Sequence, residues 1–195
     1  MSARALHSIL TTDPMQIHEF HAVQDGRWER LHVRCRRADT FEQWCELEDA
    51  RVSIVPRNSV REGDVSAWAG CLWARLETKK HADALSRFRR GPSLVIREGR
   101  SQRRWALWWL QQPLTVDVVA RGNRALAFTL GCTQKFGSEP ETAFLPCPGS
   151  THTFGKRPVL VAVEFTALDR RYRPGDFRGV VRKPPEKNRD WQRAA

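Results

Sequence analysis

Two short stretches near the start of the chain fix its structural class. In Gln16 to Val23 and again in Leu31 to Cys35, apolar and polar residues alternate with a period of two. Leu31, Val33 and Cys35 share one side, while His32 and Arg34 share the other. Period two marks a strand with one face on a core, and the intervening DGRW supplies a hairpin turn. A hairpin with one apolar face needs a covering layer. The next segment offers one: Thr40 precedes FEQWCELE with Gln43 three residues on, a capping-box start. Phe41, Trp44, Cys45 and Glu48 then follow at helical spacing.

The interleaving continues downstream. Val52 to Val55 reads as a buried strand ended by Pro56, and AWAGCLWARLE as another strand beyond a polar loop at 57–64. Ala82, Leu85 and Phe88 mark a short amphipathic helix that stops at Gly91-Pro92. Ser93 to Arg97 and Arg104 to Leu110 flank the polar EGRSQR as a second hairpin. Val116 to Leu130 has helical spacing, and Val159 to Phe165 is the last apolar strand. The class expected is α+β, a mixed α/β sheet protein without internal repeats. From about Arg170 the chain turns Pro- and charge-rich with no apolar face, so residues 170–195 are expected to form an extended or disordered basic tail. A length of 195 residues suits one domain, expected over 1–169, with an N-terminal α/β unit at 1–64 and a second unit at 65–169.

Composition narrows the partners. No apolar run reaches the roughly 20 residues of a spanning helix, and the first residues lack a cleavable leader pattern. The chain is therefore expected in the cytoplasm, away from membranes. Its five cysteines are odd in number and never at CxxC spacing, which points to reduced core residues rather than disulfides or a zinc ribbon. Thirty-three Lys and Arg against 22 Asp and Glu leave a net charge of +11. Most of the cations are arginine, whose planar fork suits phosphate and stacks on bases.

Taken in order, the segments resemble the RepB-like branch of the archaeo-eukaryotic primase-polymerase superfamily, over roughly Ser8 to Asp176. QIHEFHAV stands where that family opens with a strand, and an RxxLHVR-type strand and a helix follow. SIVPRNS stands at the family's "gvnpr" stretch, and GCLWARLE at an apolar strand that ends in acids. PSLVIREGR with WALWWLQQPL matches a Pro-Ser strand, a turn and "H-x-Y-W-L-L-x-x-P-L", and LPCPGSTHTFGK matches "LPGT-x-N-x-K". The resemblance implies a catalytic core related to the RNA-recognition motif, packed with the N-terminal α/β unit. It also implies a role in primer synthesis for DNA replication of a plasmid, phage or other mobile element.

Primer synthesis is nucleotidyl transfer, in which two divalent metals activate a hydroxyl and neutralise the triphosphate. Such hard cations take carboxylate oxygens. The family supplies two from an Asp-x-Asp at the strand end, a third from a strand alongside, and a histidine in the hairpin that holds phosphate. Carried onto this chain, the acids fall on Arg75 and Glu77 and the histidine on Trp105. The region of the third acid holds Gln134, Lys135 and Phe136, with Glu139 and Glu141 nearby. Arg75 reverses the charge at a metal position. Glu77 is the one candidate metal ligand, against the plainer reading of a carboxylate paired with Arg75. Glu164 and Asp169 are the other acids within reach of the last strand. The expectation is a chain without polymerase activity and without cofactor. Mg or Mn would be needed only if it is an active primase with a remodelled site.

Binding is what such a chain retains. Arg97, Arg100, Arg103 and Arg104 cluster at the second hairpin, and Trp105, Trp108 and Trp109 follow. Strand alternation points Trp105 and Trp109 one way and Trp108 the other. At least two of these tryptophans are expected in the core, with Trp105 exposed to stack a base. Lys156 and Arg157 are expected to meet phosphate, with His152 solvated beside them. The partners expected are single- or double-stranded DNA or RNA, with a helicase or an active primase as protein partner. A subunit that only contacts other proteins is the remaining alternative.

Overall fold

The computed structural model describes residues 3–11, 16–34, 37–58, 66–99, 102–132, 143–153 and 158–181. β1 (Ile17–Gln24) and β2 (Arg27–Arg34) form the expected hairpin in unbroken register. Asp25 and Gly26 have φ of 51° and 74°, the left-handed pair required by a two-residue turn that matches strand twist. β3 (Glu48–Ser53) lies beside β1, and β7 (Phe144–Pro146) beside β3, in a four-stranded antiparallel sheet of order β2-β1-β3-β7.

One side of this sheet carries His18, Phe20 and Ala22, all buried. α1 (Ala3–Leu10) and α2 (Ala38–Cys45) cover it: the Phe41 ring meets Phe20 at 5.4 Å and His18 at 5.5 Å between centroids. The helix starts earlier than the capping-box pattern predicts. Arg37 holds the cap position without a side-chain hydrogen bond, and Thr40 lies inside the first turn. That turn is tied instead to α1, where Arg4 pairs with Asp39 at 2.5 Å and Glu42 at 2.9 Å. Glu48, predicted to end the helix, opens β3.

The second sheet is built from β4 (Trp68–Leu76), β5 (Leu94–Glu98), β6 (Arg104–Thr115), β8 (Thr151–His152) and β9 (Val159–Thr166). Their spatial order is β4-β6-β5-β9-β8. With α3 (Lys79–Ser86) and α4 (Val116–Leu130), the chain order is β4-α3-β5-β6-α4, followed by β7, β8 and β9. α4 packs close to β4: a Cβ on Gly122 would sit 2.9 Å from Leu72, and Asn123 accepts the Trp73 backbone N–H at 2.9 Å. Phe88, predicted on α3, lies just beyond it and meets the Trp108 ring edge-on at 6.0 Å. Gly131, at φ 72°, closes α4 in the left-handed cap that glycine favours.

The two sheets share one hydrophobic cluster. They are also joined through β3. The Asp49 carboxylate takes the N–H of Thr153, the residue after β8, at 2.9 Å and its hydroxyl at 2.5 Å. Beyond β9, the expectation of an extended stretch from Arg170 is corrected as far as Val181. Tyr172 exchanges backbone hydrogen bonds with Trp109 and Gln111, and its ring lies 5.4 Å from buried Phe177 in a 3₁₀ turn, Pro174–Phe177. These two aromatics supply the apolar anchor that a Pro- and charge-rich composition hides. Residues 182–195 lie outside the described residues. Among the described residues, no helix is long and apolar enough to cross a membrane.

Candidate nucleic-acid interface

Strand pairing decides which of the predicted residues meet. Arg75 on β4 stands directly opposite Trp105 on β6, and Trp105 opposite Ile96 on β5, so all three point to one side of the sheet. Trp105 is therefore not the exposed platform expected. It is 5 % exposed, and its indole N–H donates to Glu98 Oε1 at 3.1 Å. The Arg75 guanidinium lies over its ring, 5.7 Å from the centroid. The Arg75 Nε is buried without a hydrogen-bond partner and lies 3.7 Å from Glu77 Oε1. The backbone of Glu77 is fixed by its N–H, which donates to His81 Nδ1 at 3.2 Å. Thr78 caps α3 directly behind, accepting the His81 N–H. The strand end thus carries one cation and one carboxylate, loosely paired. Among the described residues, no three His, Cys, Asp or Glu side chains come together as a metal site.

The hairpin arginines do not join this cluster. Arg97 pairs opposite Arg104, one residue out of phase with Trp105, and so both point to the opposite side of the sheet. There Arg104 grips Glu164 through two bonds, at 2.6 and 3.2 Å. This pair sits at an open cavity of about 340 Å³, lined also by Leu85, Phe88, Val95 and Phe165. Glu164 is thereby committed on the wrong side of the sheet to serve beside Glu77, and Asp169 is exposed. Arg97 and Arg103 are exposed. Trp108 is buried and donates to the Arg90 carbonyl at 2.7 Å, while half-buried Trp109 lies under Arg171 at 3.9 Å. Arg100, Gln134, Lys135, Phe136, Glu139, Glu141, Lys156 and Arg157 lie outside the described residues.

His152, expected in solvent, is 3 % exposed on β8. Burial holds its imidazole below the ordinary value. The Arg51 charge adds to this, against Glu98, a hydrogen bond with the Ala50 backbone and Asp49. Arg51 of the four-stranded sheet and Glu98 of the five-stranded sheet thus act on the same buried ring. Asp49 next to Arg51 holds a left-handed φ of 51° while it clamps Thr153. Aspartate tolerates this conformation better than most residues.

A polar cluster that sequence reasoning missed lies on the side of the four-stranded sheet turned away from α1 and α2. Glu19 is buried there, with His21 Nε2 at 2.7 Å, Arg57 Nη2 at 2.6 Å, Arg30 Nε at 3.1 Å and His32 Nε2 at 3.8 Å. Burial is the largest single influence on the Glu19 carboxyl and opposes its ionisation. The His21 hydrogen bond and the charges of Arg57, His21 and Arg30 together outweigh it and hold the group below the usual carboxylate range. The alternation in HEFH and RLHVR was the available signal, but only the β1–β2 register sets His32 and Arg30 opposite Glu19 and His21.

No protein-family model and no curated protein matches the sequence. Solved structures do match the fold. The primase-polymerase domain of cyanophage S-2L superposes with a TM-score of 0.65 at 11% identity, over 91% of this chain and 95% of that one. The primase RepB' superposes with a TM-score of 0.58 at 11% identity, over 86% of this chain and 56% of that one. Its catalytic domain, solved in complex with initiator DNA, gives 0.53 at 15% identity over 85% of each chain. The fold is that of a RepB-like primase-polymerase core.

Proposed function

From this RepB-like primase-polymerase fold, we propose that the chain is a replication protein that binds nucleic acid without catalysing nucleotidyl transfer. The observation that carries the reading is Arg75. It stands at the strand end, over Trp105 and 3.7 Å from Glu77 Oε1. Two divalent ions do not fit this set of side chains. A fixed guanidinium already faces Glu77, and the Glu98 carboxylate accepts the Trp105 indole N–H, so a further cation there meets the repulsion of Arg75. Nucleic-acid binding is supported by the +11 charge and by the structural neighbour that was solved with initiator DNA.

The protein acts, on this reading, in the cytoplasm on a plasmid, phage or other mobile element. It serves beside an enzyme that has the missing activity, an intact primase or a helicase. The test incubates the purified chain with labelled single-stranded oligonucleotide and nucleotides, in Mn, Mg or chelator. Binding is expected to fall steeply with salt and to survive the chelator, with no extended product. Metal-dependent primer synthesis that Glu77→Gln abolishes would overturn the proposal.

A further inference from the structure

We propose that the side of the four-stranded sheet turned away from α1 and α2 is a stacking surface for single-stranded nucleic acid, centred on Trp28. The inference rests on the nucleic-acid reading above and supplies it with a surface. In the β1–β2 register Trp28 lies opposite Val23, Arg30 opposite His21, His32 opposite Glu19 and Arg34 opposite Ile17. β3 adds Arg51, paired with His21, and a bridge brings in Arg57 beside Ile17. Paired residues share a face. Four arginines and two histidines therefore occupy one side, against Glu19 and, at the far end, Glu48; Arg30 and Arg34 are exposed, Arg51 is half-buried and Arg57 is buried beneath them.

Aromatic rings interleave with these cations. Trp28 is 54 % exposed at the edge strand, whereas Trp73, Trp105 and Trp108 are all buried. His21 and Phe144 stack across the sheet, with centroids 4.3 Å apart and planes at 32°. Neighbouring positions along a strand on one face lie about 6.6 Å apart and neighbouring strands about 4.8 Å apart. Trp28 and Arg30 are thus one such step apart, within reach of one base and its phosphate. Glu19 orients rather than repels: its carboxylate holds Arg30, Arg57 and His21 from beneath, which pre-sets their directions. An exposed tryptophan one step along the strand from Arg30 fits a base and its phosphate, because every base offers a π-face. An acidic protein segment would use the cations but leave the ring without a function.

The experiment titrates a labelled twenty-nucleotide oligo(dT) into the full chain at several salt concentrations, comparing wild type with Trp28→Ala, Trp28→Phe and Arg30→Ala. Both positions sit on the exposed edge strand, and circular dichroism confirms the fold of each variant. Trp28→Ala is expected to weaken binding by about tenfold, and Trp28→Phe to keep most of the affinity. Arg30→Ala is expected to lower the salt slope by about 0.7. Wild-type affinity in both Trp28→Ala and Arg30→Ala would overturn the inference while leaving the proposed function standing. Competition by polyglutamate that equals oligo(dT), with no dependence on Trp28, would overturn it as well. No oligonucleotide binding by the wild type would refute the proposed function itself.

Discussion

Replacing Glu19 by alanine has a cost that can be worked from the cluster around it. The change leaves Arg57, whose side chain is only 9 % exposed, without the carboxylate 2.6 Å from its Nη2; its Nε is already buried without a hydrogen-bond partner. Removing one member of a buried pair typically costs about 3–5 kcal/mol. The lower end applies here, because Arg30 and His21 are exposed enough to turn to water. A loss of about 3 kcal/mol lowers the melting temperature of a chain this size by roughly 6–12 °C. Glu19→Leu combined with Arg57→Leu should recover most of it, since replacing both partners by apolar groups is often near neutral.

The pH dependence carries its own sign. The folded Glu19 carboxyl titrates below its ordinary 4.5. Its contribution is therefore complete above about 4.5 and fades as pH falls through the lower folded value. Urea unfolding followed by circular dichroism should give a wild-type-minus-Glu19→Ala difference that is level from pH 5 to 8 and shrinks below that range. The change also acts on binding. With the carboxylate that orients Arg30, Arg57 and His21 removed, oligonucleotide affinity at permissive temperature should fall together with stability. A cost below about 1 kcal/mol, or a difference unchanged down to pH 3, would refute the assignment of Glu19 as the cluster's counter-charge.

Three further outcomes follow from buried groups. His18, on the other side of the same strand, has its imidazole lowered to about 4 by burial and by His7. Stability should therefore fall by about 3 kcal/mol as pH drops from 6.5 to 4, and His18→Leu should remove that share of the slope in urea titrations. Burial pushes the Cys71 and Cys132 thiols up to about 12, with Glu77 adding to the effect at Cys132. Neither should react with iodoacetamide in the folded chain at pH 8, and mass spectrometry should find both labelled only with denaturant. Phe177→Ala should cost about 3 kcal/mol in urea unfolding, showing that residues 170–181 belong to the folded body.

What the sequence made legible was periodic and local. The hairpin at Asp25-Gly26, the β5–β6 pair and α4 all follow from alternation, turn chemistry and helical spacing within twenty residues. The start of α2 did not, because Arg4, some 35 residues upstream, competes with the local cap signal at Thr40. The site failed for a related reason. Arg97, Arg104 and Trp105 are neighbours in sequence, but one residue of phase sends the arginines to the α3 side and the tryptophan to the other. Trp105 was assigned to a ligand by its family position, yet Glu98 and Arg75 occupy its indole N–H and its ring. Partners distant in sequence or strand register, which no short motif encodes, decided each case.

On the proposed reading, charge at the end of β4 bears on where a nucleic acid binds. In the family that the sequence resembles, two divalent cations against three carboxylates leave a surplus of positive charge to draw in a triphosphate. In this chain Arg75 and Glu77 contribute one charge of each sign within 3.7 Å, and Glu98 is engaged by Trp105. The formal sum of Arg75, Glu77 and Glu98 is one negative charge, and Arg104 is neutralised by Glu164 on the far side. On the proposed reading, attraction for a phosphate chain comes from another surface. Arg30 and Arg34 are exposed on one side of the four-stranded sheet, together with the exposed Trp28 ring. A chain that had lost its acids but kept its phosphate affinity at the strand end would respond to Arg75→Ala far more than to Arg30→Ala. The opposite order of effects is expected here.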